Sequence, residues 1–247
     1  MDTTATNDVF SQNEKLLYSQ FKRKINTEAA RAQIKKLEYD LADVKTGLSF
    51  LKTACTDSQA LGLGAICVMP SYVKRCASFL GEKRSTSLVA CVSFPNGGDL
   101  TSIKVKSVKC AVKDGADEVE VTAPISQIRD GNYAYVRREF KKLRSAAKRK
   151  SLRINVSCSY LTREEINRVC ILAADCKINA VSLSGGNCVE RIAEAKTSVK
   201  NKCAIKCEGG ATVLEMSSAV DLGASIIGSK NAADVARAIL TAAETEI

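Results

Sequence analysis

The sequence predicts a (β/α)8 TIM barrel, an α/β fold, with an extra N-terminal helical segment. Three observations carry that reading. Short apolar runs alternate with helical stripes in eight strand–helix units of about 20–30 residues, the rhythm of a parallel α/β fold. All three prolines, Pro70, Pro95 and Pro124, stand at the C-terminal ends of apolar runs, where a residue without an N–H can leave a sheet. The later runs close in glycine-containing loops, at Gly185 and Gly186, at Gly209 and Gly210, and at Gly228. Eight parallel strands in 247 residues fit a closed barrel. A doubly wound open sheet is the alternative that the pattern alone leaves.

In order, residues 1–13 are polar, and Leu16, Leu17, Phe21 and Ile25 give 14–36 a helical pattern. The expected division is therefore an extension over 1–36 and one barrel domain over 37–247. A weak first strand covers 37–41, and Leu48, Leu51, Ala54 and Cys55 then mark a helix ending near Gly62 or Gly64. The run 65–69 precedes a helix on Val73, Cys76, Phe79 and Leu80. The run 87–94 precedes a helix over 99–115, with Ile103, Val105, Val108 and Val112 expected to face inward. Val119, Val121 and Ala123 make a strand whose opposite face carries Glu120 and Thr122, because side chains alternate. A helix on Val136, Phe140 and Leu143 and a strand over 152–157 follow. Thr162 and Glu165 form a capping box ahead of the next helix. Strands over 178–186, 203–210 and 224–229 alternate with helices to about residue 200, over 214–222, and after Asn231.

Composition removes several function classes. No apolar run approaches the 18 residues that a membrane-spanning helix needs, and the N-terminus lacks the order of a secretory signal. Eleven cysteines without a C-x-x-C pair, and no histidine, predict reduced thiols in a cytoplasmic protein, with neither a metal centre nor a cofactor. Proton transfer would then rest on Lys, Glu, Asp, Tyr, Cys or water.

The net charge is +10, and it is uneven: residues 129–153 hold ten Lys or Arg against Asp130 and Glu139, a net of +8. Such a run is either a solvated helix face or a contact surface for an acidic partner. The residues concerned are Arg137, Arg138, Lys141, Lys142, Arg144, Lys148, Arg149 and Lys150. Sequence-specific nucleic-acid binding is not expected, since no motif appears and few aromatics are interleaved.

In a barrel the site lies at the C-terminal ends of the strands. Reading those ends gives Glu120, Arg153, Ser182, Lys206 and Glu208 as polar candidates.

The stretch Gly115-Ala116-Asp117-Glu118-Val119-Glu120, with Gly131-Asn132-Tyr133 after it, resembles the deoxyribose-phosphate aldolase family, and the likeness runs more thinly from 37 to about 229. That resemblance implies a lysine that attacks the substrate carbonyl to form a Schiff base, activated by a second lysine beside it. The nucleophile's strand aligns with residues 181–186, where Ser182 replaces the lysine. The second lysine's strand aligns with 205–210 and keeps it as Lys206. Glu120 replaces a catalytic aspartate, and Arg153 replaces a lysine. The phosphate loops match at Gly185, Gly186, Gly209, Gly210, Gly228 and Ser229, but Glu208 replaces a small serine beside them.

Lys206 is expected as an ion-pair partner of Glu120 rather than as a nucleophile. The expectation is an aldolase-like pseudoenzyme that binds or scaffolds an acidic partner, such as a cytoskeletal filament. The alternatives are a weak or altered lyase acting through Lys206 and a binder of a phosphorylated small molecule.

Overall fold

A computed structural model describes residues 27–244. The part of the expected helical extension that precedes residue 27 lies outside the described residues. Within them the chain starts on α1 (Thr27–Ile34), which packs on the last helix, α10 (Ala232–Glu244).

Eight parallel strands close in sequence order: β1 (Leu37–Asp40), β2 (Ala65–Val68), β3 (Ser87–Val92), β4 (Glu118–Thr122), β5 (Ser151–Ser157), β6 (Ala180–Ser184), β7 (Ala204–Glu208) and β8 (Ile226–Ser229). β8 returns to β1 through the register Glu38 opposite Gly228, so the sheet has no free edge. Between the strands lie α2 (Leu48–Leu61), α3 (Val73–Leu80), α4 (Thr101–Lys113), α5 (Ile125–Arg129), α6 (Tyr133–Ala147), α7 (Arg163–Asp175), α8 (Ile192–Val199) and α9 (Val213–Asp221). The three prolines follow β2, β3 and β4 at the C-terminal end of the barrel. Both halves of the Thr162–Glu165 capping box open α7, and Thr212 and Glu215 repeat it on α9.

Outward strand residues such as Val119, Val121, Ile205 and Ile227 join the main core beneath the helices. The lumen is divided. On one side Ala65, Cys67, Val89 and Cys91 of β2 and β3 make a small apolar cluster. On the other, alternate residues of β1 and β4–β7 bring charged and polar side chains inward, among them Glu38, Glu120, Arg153, Asn155, Ser182 and Lys206, all buried.

α4 corrects one expectation. Ile103 is half exposed, whereas Val108 is buried and Val105 and Val112 pack partly buried against the core as expected, with Lys104 and Ala111 completing the buried face. That face repeats at four- and three-residue spacing, and its lysine is tolerated because it finds a partner. Lys104 Nζ lies 2.8 Å from Glu139 Oε1 on α6 and donates to the Thr122 carbonyl at 3.1 Å.

Candidate active site at the barrel mouth

β7 places Lys206 with its side chain in the lumen, 0% exposed. Four carboxylates from three strands surround its ammonium. Nζ lies 2.6 Å from Glu38 Oε1, 3.1 Å from Glu120 Oε2, 3.6 Å from Glu208 Oε1 and 3.8 Å from Asp40 Oδ2. Gly228 makes room for it, because a Cβ there would sit 2.8 Å from Lys206 Cε. Burial is the largest influence on this amine and pushes its pKa down. Glu120, Glu38, Asp40 and Glu208 together outweigh it and raise the pKa well above the ordinary lysine value.

Ser182 is buried beside this group and donates its hydroxyl proton to Glu120 Oε2 at 2.6 Å. Asn155 Nδ2 donates to Glu120 Oε1 at 3.3 Å and to Glu208 Oε1 at 3.1 Å, while Ser184 Oγ holds its carbonyl oxygen at 2.8 Å. Glu120 is thus fixed by a lysine, a serine and an asparagine.

Arg153 departs from the position expected of it. It is the third residue of β5, in register with Glu120 and Ala180, and so sits below the C-terminal rim. Its guanidinium bridges Glu38 and Glu118, the latter at 2.8 Å. Burial first works against both members of the Arg153–Glu38 pair. Their mutual attraction prevails, with Lys206 also acting on Glu38 and Glu118 on Arg153, so Glu38 is lowered to about 2 and Arg153 is raised.

Glu208 points inward, toward Lys206 and Asn155. Burial, with Asp40, Glu120 and Glu38 adding to it against Lys206, pushes its pKa up to about 8. Burial likewise raises Asp40, again against Lys206 and with Glu38 and Glu120 adding. Glu38, Asp40 and Asn155 are site residues that the sequence reading does not single out. The signal available for the first two is the inward alternation of Glu38 and Asp40 around Tyr39 in β1.

Above this floor a cavity of about 510 Å³ opens between the ends of β6, β7, β8 and β1. Gly185, Gly186, Gly209, Gly228 and Ser229 line it, together with Asp40 and Glu208. Gly209 has φ +112, a backbone that glycine alone adopts at no steric cost. Gly210 is not among the lining residues, and its bare α-carbon faces Ile227, with which a Cβ would collide. The amides of Ala211 and Thr212 point at the Glu215 carboxylate of the α9 capping box, at 2.9 and 3.1 Å. Two donors of the glycine-rich loop are therefore already taken.

The basic residues lie elsewhere. Arg137, Arg138, Lys141 and Lys142 are exposed on α6, with Arg137 paired to Asp175 at 3.1 Å. The helix ends at Ala147, so Lys148, Arg149 and Lys150 belong to the loop before β5. Arg144 is half-buried and is not a free contact. It donates to Asn179 Oδ1 and to the carbonyls of Lys148 and Lys150 at 2.6–2.8 Å.

The family model described as DeoC/LacD family aldolase matches residues 28–169. A deoxyribose-phosphate aldolase of Thermococcus gammatolerans is 32% identical over 186 residues, covering 72% of this chain and 83% of that protein. One from Clostridioides difficile is 26% identical over 204 residues, covering 80% and 92%. Among solved structures, QR15, an aldolase, superposes with a TM-score of 0.79 at 25% identity, covering 84% of this chain and 96% of that one. The Aeropyrum pernix deoxyribose phosphate aldolase superposes with a TM-score of 0.75 at 17% identity, covering 93% and 98%, a likeness of fold. The chain, a closed parallel barrel, belongs to the deoxyribose-phosphate aldolase family.

Proposed function

We propose that this protein keeps the barrel of its family without the Schiff-base reaction, and that it acts by binding. The observation that carries the reading is the state of Lys206. An unperturbed lysine is uncharged at pH 7 in only about one molecule in 2,500, and four carboxylates reduce that fraction further here. Ser182, at the position that the resemblance gives to the nucleophile, has no histidine to activate it and instead donates to Glu120. Neither residue offers a neutral amine to a carbonyl.

The mouth cavity supports retention of a small-molecule site, but it weighs against a phosphate. Asp40 brings negative charge to its lining, and the cation that lines it, Lys230, is already paired with Asp43 at 2.7 Å. Like charges about 4 Å apart cost about 4 kcal/mol at an effective dielectric near 20. Glu208 adds to this only as pH rises toward 8 and its proton leaves. The binding role falls to the exposed basic surface, with an acidic protein, such as a cytoskeletal filament, as the partner in the cytoplasm. That surface carries Arg138 and Lys142 in the open.

The test is turnover of deoxyribose 5-phosphate. Loss of a catalytic nucleophile costs roughly six orders of magnitude in a well-studied hydrolase, so cleavage is expected at background. Ser182→Lys alone is expected to rescue little, because Glu120 and Glu38 keep the Lys206 amine charged. Turnover above about 1 s⁻¹, an ordinary enzymatic rate, would contradict the reading.

A further inference from the structure

At the end of the barrel opposite the mouth, where the chain enters β5 and β6, lies a groove of about 590 Å³. Five cationic side chains with no structural role in its floor line it: Lys141 from α6, Lys148, Arg149 and Lys150 from the loop before β5, and Lys177 from the turn after α7. No Asp or Glu lines it. Some surface cations elsewhere are answered locally, as in Lys230 with Asp43 and Arg237 with Asp57. Among the described residues, Lys141, Lys148, Arg149 and Lys177 form no ion pair, and Lys150 has only Asp117 at 3.5 Å.

The floor of the groove is built. Arg144 ties the carbonyls of Lys148 and Lys150 to Asn179 Oδ1, which also accepts from the Leu152 amide at 2.9 Å. One guanidinium thus fixes the loop and the neighbouring turn together, and the five cations stand around it. Lys148 and Lys177 also hold positive φ, at 52° and 56°, where a non-glycine residue is uncommon.

We propose that this groove binds a small soluble anion carrying clustered phosphates, bridged by ammonium and guanidinium groups from both sides. Its volume lies in the range of small-molecule sites, roughly 300–1,000 Å³, and it is shallow and open to solvent. Five cations without a carboxylate suit several phosphoryl groups rather than one, and Arg149 can grip a phosphate in bidentate fashion while the lysines act as point charges. The C-terminal ends of α6 and α7 oppose an anion with about half a charge each, which five full charges outweigh. This inference stands whether or not the mouth is catalytically silent. It also separates the basic surface into a groove and an outer row, of which only the row belongs to the acidic-partner reading.

The experiment is calorimetric titration of the full chain with tripolyphosphate and with inorganic phosphate, each at about 50 and about 200 mM salt. One-to-one binding of tripolyphosphate is expected, at least tenfold tighter than inorganic phosphate and weakened several-fold by the added salt. Lys148→Gln with Lys177→Gln removes two charges while keeping unbranched side chains on the same backbone, and is expected to weaken binding at least tenfold with an unchanged melting temperature. Arg149→Glu added to these should abolish it. Arg138→Glu with Lys142→Glu, on the outer row, should change tripolyphosphate binding less than threefold while removing any acidic-protein binding. No binding of tripolyphosphate, or equal losses from both sets, would overturn the proposal. So would capture on phosphatidylcholine vesicles containing a phosphoinositide without binding of free tripolyphosphate.

Discussion

Two lysines are wholly buried among the described residues, and their surroundings treat them in opposite ways. Lys104, packed between α4 and α6, meets one carboxylate, Glu139. Burial, its largest influence, outweighs that attraction and lowers its pKa. Lys206 is as deeply buried but faces four carboxylates, and its pKa rises well above the ordinary value. Burial alone does not free a lysine's amine. The number of carboxylates within reach decides the sign, and in this barrel the amine at the mouth is the one held most firmly in its charged form. The lysine that burial favours as a neutral amine is the one kept away from the mouth.

Removing each lysine breaks the comparison most strongly. Lys206→Met leaves four carboxylates crowded in the lumen around a missing cation. Breaking a buried pair costs about 3–5 kcal/mol, and with about 2–4 °C per kcal/mol for a chain of this size, the melting temperature should fall by about 6–20 °C. A fall of only a degree or two would mean that Lys206 is not what neutralises the cluster. Lys104→Met should cost less, about 2–3 kcal/mol, because only Glu139 and the Thr122 carbonyl lose a donor and Glu139 keeps the Thr101 hydroxyl at 2.7 Å. Lys104→Met with Glu139→Leu should recover most of that loss, since two matched apolar groups replace a desolvated pair.

A smaller effect sharpens the comparison through pH. The folded pKa of Glu208, about 8, lies above its ordinary 4.5. Its contribution to stability is full below about pH 4.5 and is lost as pH rises through 8. Glu38 runs the other way. Held to about 2 by Arg153 and Lys206 against burial, it contributes above pH 4.5 and loses that contribution as pH falls toward 2. Between pH 5 and 8.5, thermal melts should show the native protein losing more stability than Glu208→Gln. Parallel curves for the two proteins would place the titration outside Glu208.

The scaffold was legible in the sequence because its signals are local. Prolines after β2, β3 and β4, the Thr162 capping box and the alternation in β4 each depend on a few neighbouring residues. The Lys206–Glu120 contact was legible only through the resemblance, as the partners are 86 residues apart. What stayed hidden depended on depth and direction. Arg153 shares a strand with Asn155 but sits one layer lower, and strand alternation does not say which layer is the rim. Whether Glu208 turned inward hinged on Asn155 and Lys206 being there to receive it. The Lys104–Glu139 pair was hidden because a lysine between Ile103 and Val105 reads as a solvated position, and its partner Glu139 lies 35 residues further on. Arg144 reads as one more surface charge until its three acceptors are seen.

The central claim is that Lys206 is charged and cannot form an imine, and borohydride trapping tests it most directly. The protein is incubated at pH 7 with deoxyribose 5-phosphate, and separately with acetaldehyde, then reduced and weighed by intact-mass spectrometry. The account predicts no adduct on Lys206 with either compound, and no more than a trace of adduct at position 182 or Lys206 in the Ser182→Lys variant. A stoichiometric reduced adduct mapped to Lys206 in the native protein would contradict it.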